Sequence, residues 1–306
     1  MALLEYRITK NGYELYDKVK VAIERIKAFE PAEGYWLAYG GGKDSVVCKA
    51  LCDMAGVKYQ AHYSCTSVDP PELVRFIKSQ PDVCFDIPKD KDGKPITMWN
   101  LIPRKLIPPT RYTRYCCEEL KESAGKGYIT ITGVRWAESA NRKNNQALIN
   151  IGNSKRNKIL LNFDDDEARR MTEQCYRTRR TMLNPIIDWL DEDVWEFIKG
   201  YGISYCILYD CGYKRLGCIG CPLSSNAKTE LEAYPKYKEN YIRAFYKMLN
   251  ERRQKGLPVY ETWKTGEDVM DWWLGKNKDE DEDQILIDFD SLEKAKEYIK
   301  ESEDTK

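Results

Sequence analysis

The chain has 306 residues, with 49 Lys and Arg against 49 Asp and Glu, so its overall field neither requires nor excludes a polyanionic partner. It is long enough for one large or two modest domains, it carries no apolar run of about 18 residues able to span a membrane, and its first residues lack the apolar core of a secretory leader. Its 11 cysteines therefore read as thiols in a reducing, cytoplasmic compartment, serving metals or chemistry rather than disulfides.

Residues 13–29 place apolar side chains at helical spacing and predict an amphipathic leading helix. A first strand is predicted at 36–39, followed by a helix at 44–55 that Gly56 stops. A second strand follows at 58–64, a helix opened by prolines at 71–79, and a third strand at 83–87. Residues 127–134, rich in β-branched side chains, predict a fourth and central strand. The stretch 142–180 is rich in Arg, Lys and Asn, including Lys155, Arg156, Lys158, Arg177, Arg179 and Arg180, and reads either as a loop that orders on nucleic acid or as a solvated surface. Regular structure resumes at 184–189 and in a helix at 191–199. A cysteine-rich loop then covers 206–221, and the remainder is mostly helical, with a solvated acidic run at 279–283. Strands alternating with helices predict an α/β fold, a doubly wound and mostly parallel sheet, with a helical, cysteine-containing C-terminal region. The expected division is a nucleotide-binding domain at 1–205 and a cysteine-loop and helical region at 206–306.

Between the first strand and its helix stands Tyr39-Gly40-Gly41-Gly42-Lys43-Asp44-Ser45. Glycines let backbone N–H groups close around phosphate oxygens, and a helix N-terminus adds the positive end of its dipole. Lys43 adds a cation and Ser45 a hydroxyl donor. The Walker pattern is excluded, because Leu37 stands where its first glycine is needed. Asp44 reads as a helix cap or as a ligand of Mg²⁺. Arg135 and Arg142, just past the fourth strand, are placed to meet phosphates or an acceptor, and Glu138 to pair with one of them or with Mg²⁺.

Two cysteine pairs form a second constellation, Cys116-Cys117 and Cys218-Ile219-Gly220-Cys221. Four thiolates suit a [4Fe–4S] cluster or a tetrahedral zinc, and the adjacent pair, unusual in zinc sites, favours iron–sulfur. Cys48, Cys52, Cys65, Cys84 and Cys175 fall in helix or strand patterns and read as core thiols. Cys206 and Cys211 read as packed, with an extra ligand or a sulfur carrier as the alternative. His62, the only histidine, lies within a predicted strand and reads as structural.

These residues together resemble the phosphoadenosine phosphosulfate reductase-like family of the PP-loop ATP pyrophosphatase superfamily, whose fold is adenine nucleotide alpha hydrolase-like and Rossmann-like. The likeness runs over most of residues 30–225. It takes in the loop from Gly40 to Ser45, with Gly40 where that superfamily has its first Ser, and the segment from Ser67 to Glu72. It also takes in Cys116-Cys117 with Lys121, the stretch from Gly133 to Arg142, the stretch from Asn184 to Trp189, and the Cys218–Cys221 loop ending in Pro222. The resemblance implies that Tyr39, Gly40, Gly41, Gly42, Lys43, Asp44, Ser45, Asp69, Gly133, Arg135, Glu138 and Arg142 bind an adenine nucleotide. It implies that Lys43, Asp44, Ser45 and Arg135 act in catalysis, and that Cys116, Cys117, Cys218 and Cys221 hold the metal. Two departures from sulfonucleotide reductases stand out: no cysteine follows Cys221 to serve as their tail nucleophile, and the Lys-Asp-Ser signature that they generally lose is kept. Both favour ATP with Mg²⁺, cleaved to AMP and pyrophosphate so that an acceptor, expected to be a nucleic acid, receives sulfur from a cysteine desulfurase or another donor. A phosphoadenosine phosphosulfate or adenosine phosphosulfate reductase releasing sulfite, and a non-catalytic iron–sulfur nucleotide sensor or partner subunit, stay open as alternatives. No membrane partner is expected, and a homo-oligomer is compatible with the sequence.

Overall fold

The alternation Leu-Glu-Tyr-Arg-Ile-Thr sets apolar and polar side chains on opposite faces of an extended chain, and Leu4–Thr9 forms strand β1. It pairs antiparallel with β2, Gly12–Asp17, in the register Tyr6 opposite Leu15 and Ile8 opposite Tyr13. The leading helix expected from residue 13 therefore starts only at α1, Lys18–Ala28, where the Asp17 carboxylate accepts from the N–H groups of Val19 and Lys20 at 3.0 Å. The period-two pattern of Tyr13, Leu15 and Asp17 overlaps a helical one, and the upstream strand with which it pairs decides the outcome. The computed structural model describes residues 3–9, 12–122, 124–152, 158–162 and 165–275. Lys155, Arg156 and the acidic run at 279–283 lie outside the described residues.

Strand β3, Tyr35–Ala38, leads through the glycine turn into α2, Lys43–Ala55, which Gly56 ends in the left-handed conformation at φ 67°. There follow β4, Tyr59–Ser64; α3, Pro71–Lys78; β5, Val83–Asp86; and α4, Met98–Lys105, capped by Thr97. A short α5, Tyr115–Cys117, runs into a wide helical turn at Glu118–Glu122 and then β6, Ile129–Ile131. Next come α6, Ala140–Asn145; β7, Ile149–Ile151; β8, Ile159–Leu161; α7, Asp166–Cys175; and β9, Thr181–Leu183. The chain continues with α8, Asp191–Gly200; α9, Ala227–Ala233; α10, Pro235–Gln254; and α11, Gly266–Leu274.

The main sheet has the order β5-β4-β3-β6-β9-β7-β8. β3 is parallel to both β4 and β6, and β6 to β9, so β6 is central as expected. The Asn-rich stretch read as loop or solvated surface instead supplies β7 and β8, an antiparallel hairpin that closes one edge of the sheet. Its short buried run Ile149–Ile151 is too brief for periodicity to reveal among so many polar neighbours.

The chain divides into two units. The first contains residues 1–63, 76–84 and 124–206; the second contains 64–75, 85–123 and 207–306. The Cys116-Cys117 segment and the Cys218–Cys221 loop both fall in the second unit. In the first, Leu37, Val47, Leu51, Ile131, Leu183 and Trp189 build the core. In the second, α10 buries Tyr241, Phe245, Met248 and Leu249, and Leu101, Ile102, Trp263 and Val269 are buried as well. No helix among the described residues is long and apolar enough to cross a membrane.

Candidate functional site

In the first unit the glycine turn opens its backbone amides at the N-terminus of α2. Gly41 sits at φ 69°, a conformation that L side chains rarely adopt. A Cβ on Gly40 would meet nothing within 4 Å, so this position tolerates the serine that the superfamily carries there. Gly42 is the N-cap of α2 and offers no side chain to its first N–H groups. Among the described residues, the N–H groups of Gly40, Gly41 and Gly42 donate to no backbone carbonyl. Helix dipole and open amides thus point at one place.

Lys43, the first residue of α2, is 5% exposed, and its Nζ lies 3.5 Å from Asp191 Oδ1 and 3.9 Å from Asp44 Oδ2. Arg135 is buried beneath them. Its Nε donates to Asp44 at 2.7 Å, Nη2 to Asp191 at 2.6 Å and Nη1 to the Trp189 carbonyl at 3.3 Å. Burial opposes its charge, but the two carboxylates outweigh that and hold its pKa above the usual range. Arg135, expected to reach phosphate, is therefore committed to holding the carboxylates around Lys43. Asp44 is not the helix cap; it is the joint between Lys43 and Arg135. Ser45 donates its hydroxyl to the Gly42 carbonyl at 2.8 Å and so closes the turn.

Gly133 has a packing reason. A Cβ there would lie 2.7 Å from Asp44 Cβ, so only glycine lets the end of β6 reach the first turn of α2. Glu138 accepts from Arg142 at 2.8 Å and from the Arg135 backbone N–H at 3.2 Å, the pairing expected of it. Tyr39 is buried with its N–H on the His62 carbonyl, so its ring belongs to the core rather than to a ligand surface. His62 stacks on Trp36 at 3.3 Å between ring centroids. Asp191 was missed as a site residue; its only signal was its position at the entry of the predicted 191–199 helix.

In the second unit the structure brings the two cysteine pairs within electrostatic reach of each other. Cys116 senses the charges of Cys117, Cys218 and Cys221, so both pairs share one electrostatic neighbourhood. The hydrogen bond between the two adjacent sulfurs pushes Cys116 up and pulls Cys117 down, and Arg114, whose Nη2 is 3.6 Å from the Cys117 sulfur, lowers Cys117 further. Burial pushes Cys218 up to about 12, and the Cys218 charge in turn raises Lys121. Lys121 was present in the Cys-Cys-x-x-x-Lys spacing but was not assigned a role. Asp69, expected among the nucleotide ligands, belongs to this neighbourhood. It accepts from Thr66 at 2.8 Å, and its charge reaches Lys121 and Cys218.

The Cys218–Cys221 loop is braced on all sides. Ile219 N–H donates to the Val68 carbonyl at 2.8 Å, Tyr241 donates to the Ile219 carbonyl at 3.0 Å, and Gly220 N–H donates to Glu230 at 3.0 Å. Gly220 turns at φ 69°. All 11 cysteines are free thiols; Cys206 and Cys211 are buried, as packing residues are. Among the described residues, no three Cys, His, Asp or Glu side chains are grouped so that they could hold a metal ion. The donor types, four sulfurs with the Lys121 cation near them and Asp69 beside Cys218, are those of a thiophilic rather than a hard-cation centre.

The family model described as phosphoadenosine phosphosulfate reductase domain matches residues 34–224. An uncharacterized protein of Methanocaldococcus jannaschii is 24% identical over 222 residues, covering 72% of this chain and 47% of its own length. An adenosine 5'-phosphosulfate reductase of Bacillus cytotoxicus is 24% identical over 159 residues, covering 50% of this chain and 52% of its own. The chain thus spans about half the length of these two relatives. Among solved structures, a phosphoadenylyl-sulfate reductase of Candida auris aligns with a TM-score of 0.42 at 13% identity, over 64% of this chain and 87% of that one.

Proposed function

This chain belongs to the phosphoadenosine phosphosulfate reductase domain family, and from that premise we propose that it binds ATP with Mg²⁺ and cleaves it to AMP and pyrophosphate to activate an acceptor for sulfur transfer. The observation that carries this reading is the uncapped N-terminus of α2, where open glycine amides stand beside the buried Lys43. A β,γ-pyrophosphate needs such a cradle; a substrate without one does not.

In this reading an acceptor oxygen attacks the α-phosphorus. The bond from that phosphorus to the bridging oxygen breaks, and pyrophosphate leaves with its charge met by the amides of Gly41 and Gly42 and by the Lys43 ammonium. The acceptor is then an adenylate, and a sulfur nucleophile displaces AMP from it. Arg135 acts by position: it fixes Asp44 and Asp191, which aim Lys43. The same two carboxylates are the hard-oxygen donors available for Mg²⁺. Cys116, Cys117, Cys218 and Cys221 would hold a [4Fe–4S] cluster, which supplies a thiophilic iron for handling sulfur. The acceptor is a nucleic acid in this proposal, met by basic residues such as Lys158, Arg177, Arg179 and Arg180.

Purified full chain, kept anaerobic and given ATP, Mg²⁺, a sulfide source and nucleic acid, is expected to yield AMP and pyrophosphate in equal amounts. Lys43→Ala should cut ATP affinity or pyrophosphate release at least tenfold with an unchanged circular dichroism spectrum. Thiol-dependent sulfite release from a sulfonucleotide, with no AMP from ATP, would establish the activity that the Bacillus cytotoxicus relative is named for instead. Tight ATP binding without turnover in the presence of acceptors would establish a sensor.

A further inference from the structure

The hairpin β1–β2 is inside out. Leu4, Tyr6 and Ile8 lie on one face, and the register puts Tyr13 and Leu15 on the same face, opposite Ile8 and Tyr6. All five are exposed: Leu4 by 41%, Tyr6 by 74%, Ile8 by 78%, Tyr13 by 77% and Leu15 by 57%. The opposite face carries Glu5, Arg7, Glu14 and Tyr16, and three of them, Glu5, Arg7 and Tyr16, reach back to their own unit. Lys18 Nζ reaches Glu5 at 3.4 Å and Asp193 at 2.7 Å, and Arg7 reaches Asp188 at 3.8 Å. Tyr16 donates to Asp188 at 3.0 Å, and Arg25 grips the same carboxylate at 2.7 Å. A solvated hairpin turns its polar face to water; this one spends its charges on its own unit and presents aromatic and aliphatic side chains outward.

We propose that this face is a dimer interface that seats the same face of a second copy of the chain. Three features argue for that occupant. The five side chains at its centre are uncharged, and Asp17, opposite Leu4 at the end next to α1, is engaged as the N-cap of that helix, so the complement is an uncharged apolar surface, and its own copy is one. The apolar side chains sit in cross-strand pairs, so two hairpins related by a two-fold axis bring Tyr and Ile onto Leu and Tyr without placing like charges together. The area also suffices. With about 150–250 Å² for each large aromatic side chain, the five exposed residues offer roughly 600–700 Å² per copy, and two copies bury about 1,200–1,400 Å², within the range of specific stable interfaces. β1 and β2 form a two-stranded sheet of their own, so neither outer edge is taken by another strand among the described residues.

The test is sedimentation velocity of the full chain across a hundredfold concentration range, with light scattering for absolute mass. The expected result is a dimer that dissociates on dilution. The double variant Ile8→Glu with Tyr13→Glu, at two exposed positions, should weaken association at least tenfold and leave circular dichroism and ATP binding unchanged. If that variant does not fold, Tyr6→Ser with Leu15→Ser takes its place. A wild-type chain that stays monomeric at the highest concentration overturns the proposal. So does a double variant that dimerises as tightly as wild type, or a monomer that seats vesicles or a foreign protein on this hairpin.

Discussion

Arg135 spans Asp44 and Asp191 with two nitrogens of one planar guanidinium, at 2.7 and 2.6 Å, while itself 2% exposed. Removing it leaves two carboxylates beside each other with only Lys43 between them. Arg135→Ala should therefore cost about 2–3 kcal/mol in urea unfolding, less than a fully buried pair because both carboxylates keep some solvent. Arg135→Lys should recover less than half of that, since one ammonium cannot hold two carboxylates in a fixed fork. Gly133→Ala tests the neighbouring contact. Its Cβ, 2.7 Å from Asp44 Cβ, must push the first turn of α2 away from β6, and calorimetry should show ATP affinity falling at least tenfold. The glycine turn and the place of Lys43 at the start of a helix were legible because both are written in residue types and order within a short window. The role of Arg135 was not, because its partner Asp191 lies 56 residues away.

At the scale of elements, the hairpin is held by carboxylates whose protonation can be read out. Burial works against the charge of Asp188, but the Arg25 guanidinium outweighs it and holds the carboxyl below its ordinary range. Glu5 is likewise below it, with Arg7 and Lys18 outweighing burial. A carboxyl lowered on folding contributes stability that is fully present above its unfolded value, near pH 4, and lost as pH falls through the lowered folded value. Stability should thus be insensitive to these groups from neutral pH down to about pH 5 and drop below about pH 4 as the hairpin's charged face loses its partners. Asp188→Asn should lower stability at pH 7 and flatten the acid limb, as followed by thermal unfolding in a pH series. The hairpin itself escaped the sequence because Tyr13–Asp17 satisfies two periodicities, and β1 settles which one the chain adopts.

At the scale of the whole molecule, the cysteine set belongs to one unit assembled from three separate stretches of chain. Anaerobically purified protein is expected to be brown, to absorb broadly near about 400 nm, and to contain roughly four irons per chain. Cys218→Ser should bleach it, whereas a Cys117→Ser protein that keeps its cluster would have three protein thiolates and one open iron. A colourless protein with about one zinc per chain would assign the site to the other thiophilic metal. The sequence by itself determined the α/β class, the central place of β6, the strand-to-helix glycine loop and the two cysteine pairs. Each is written in residue types, spacing or periodicity within a short window. Tertiary structure alone decided that Arg135 turns inward, that Asp69 joins the cysteines, that Tyr39 is core, and that the first strands form an inside-out hairpin. Those outcomes depend on pairs such as Arg25 and Asp188, 163 residues apart, whose meeting is set by the folded chain and by no local pattern.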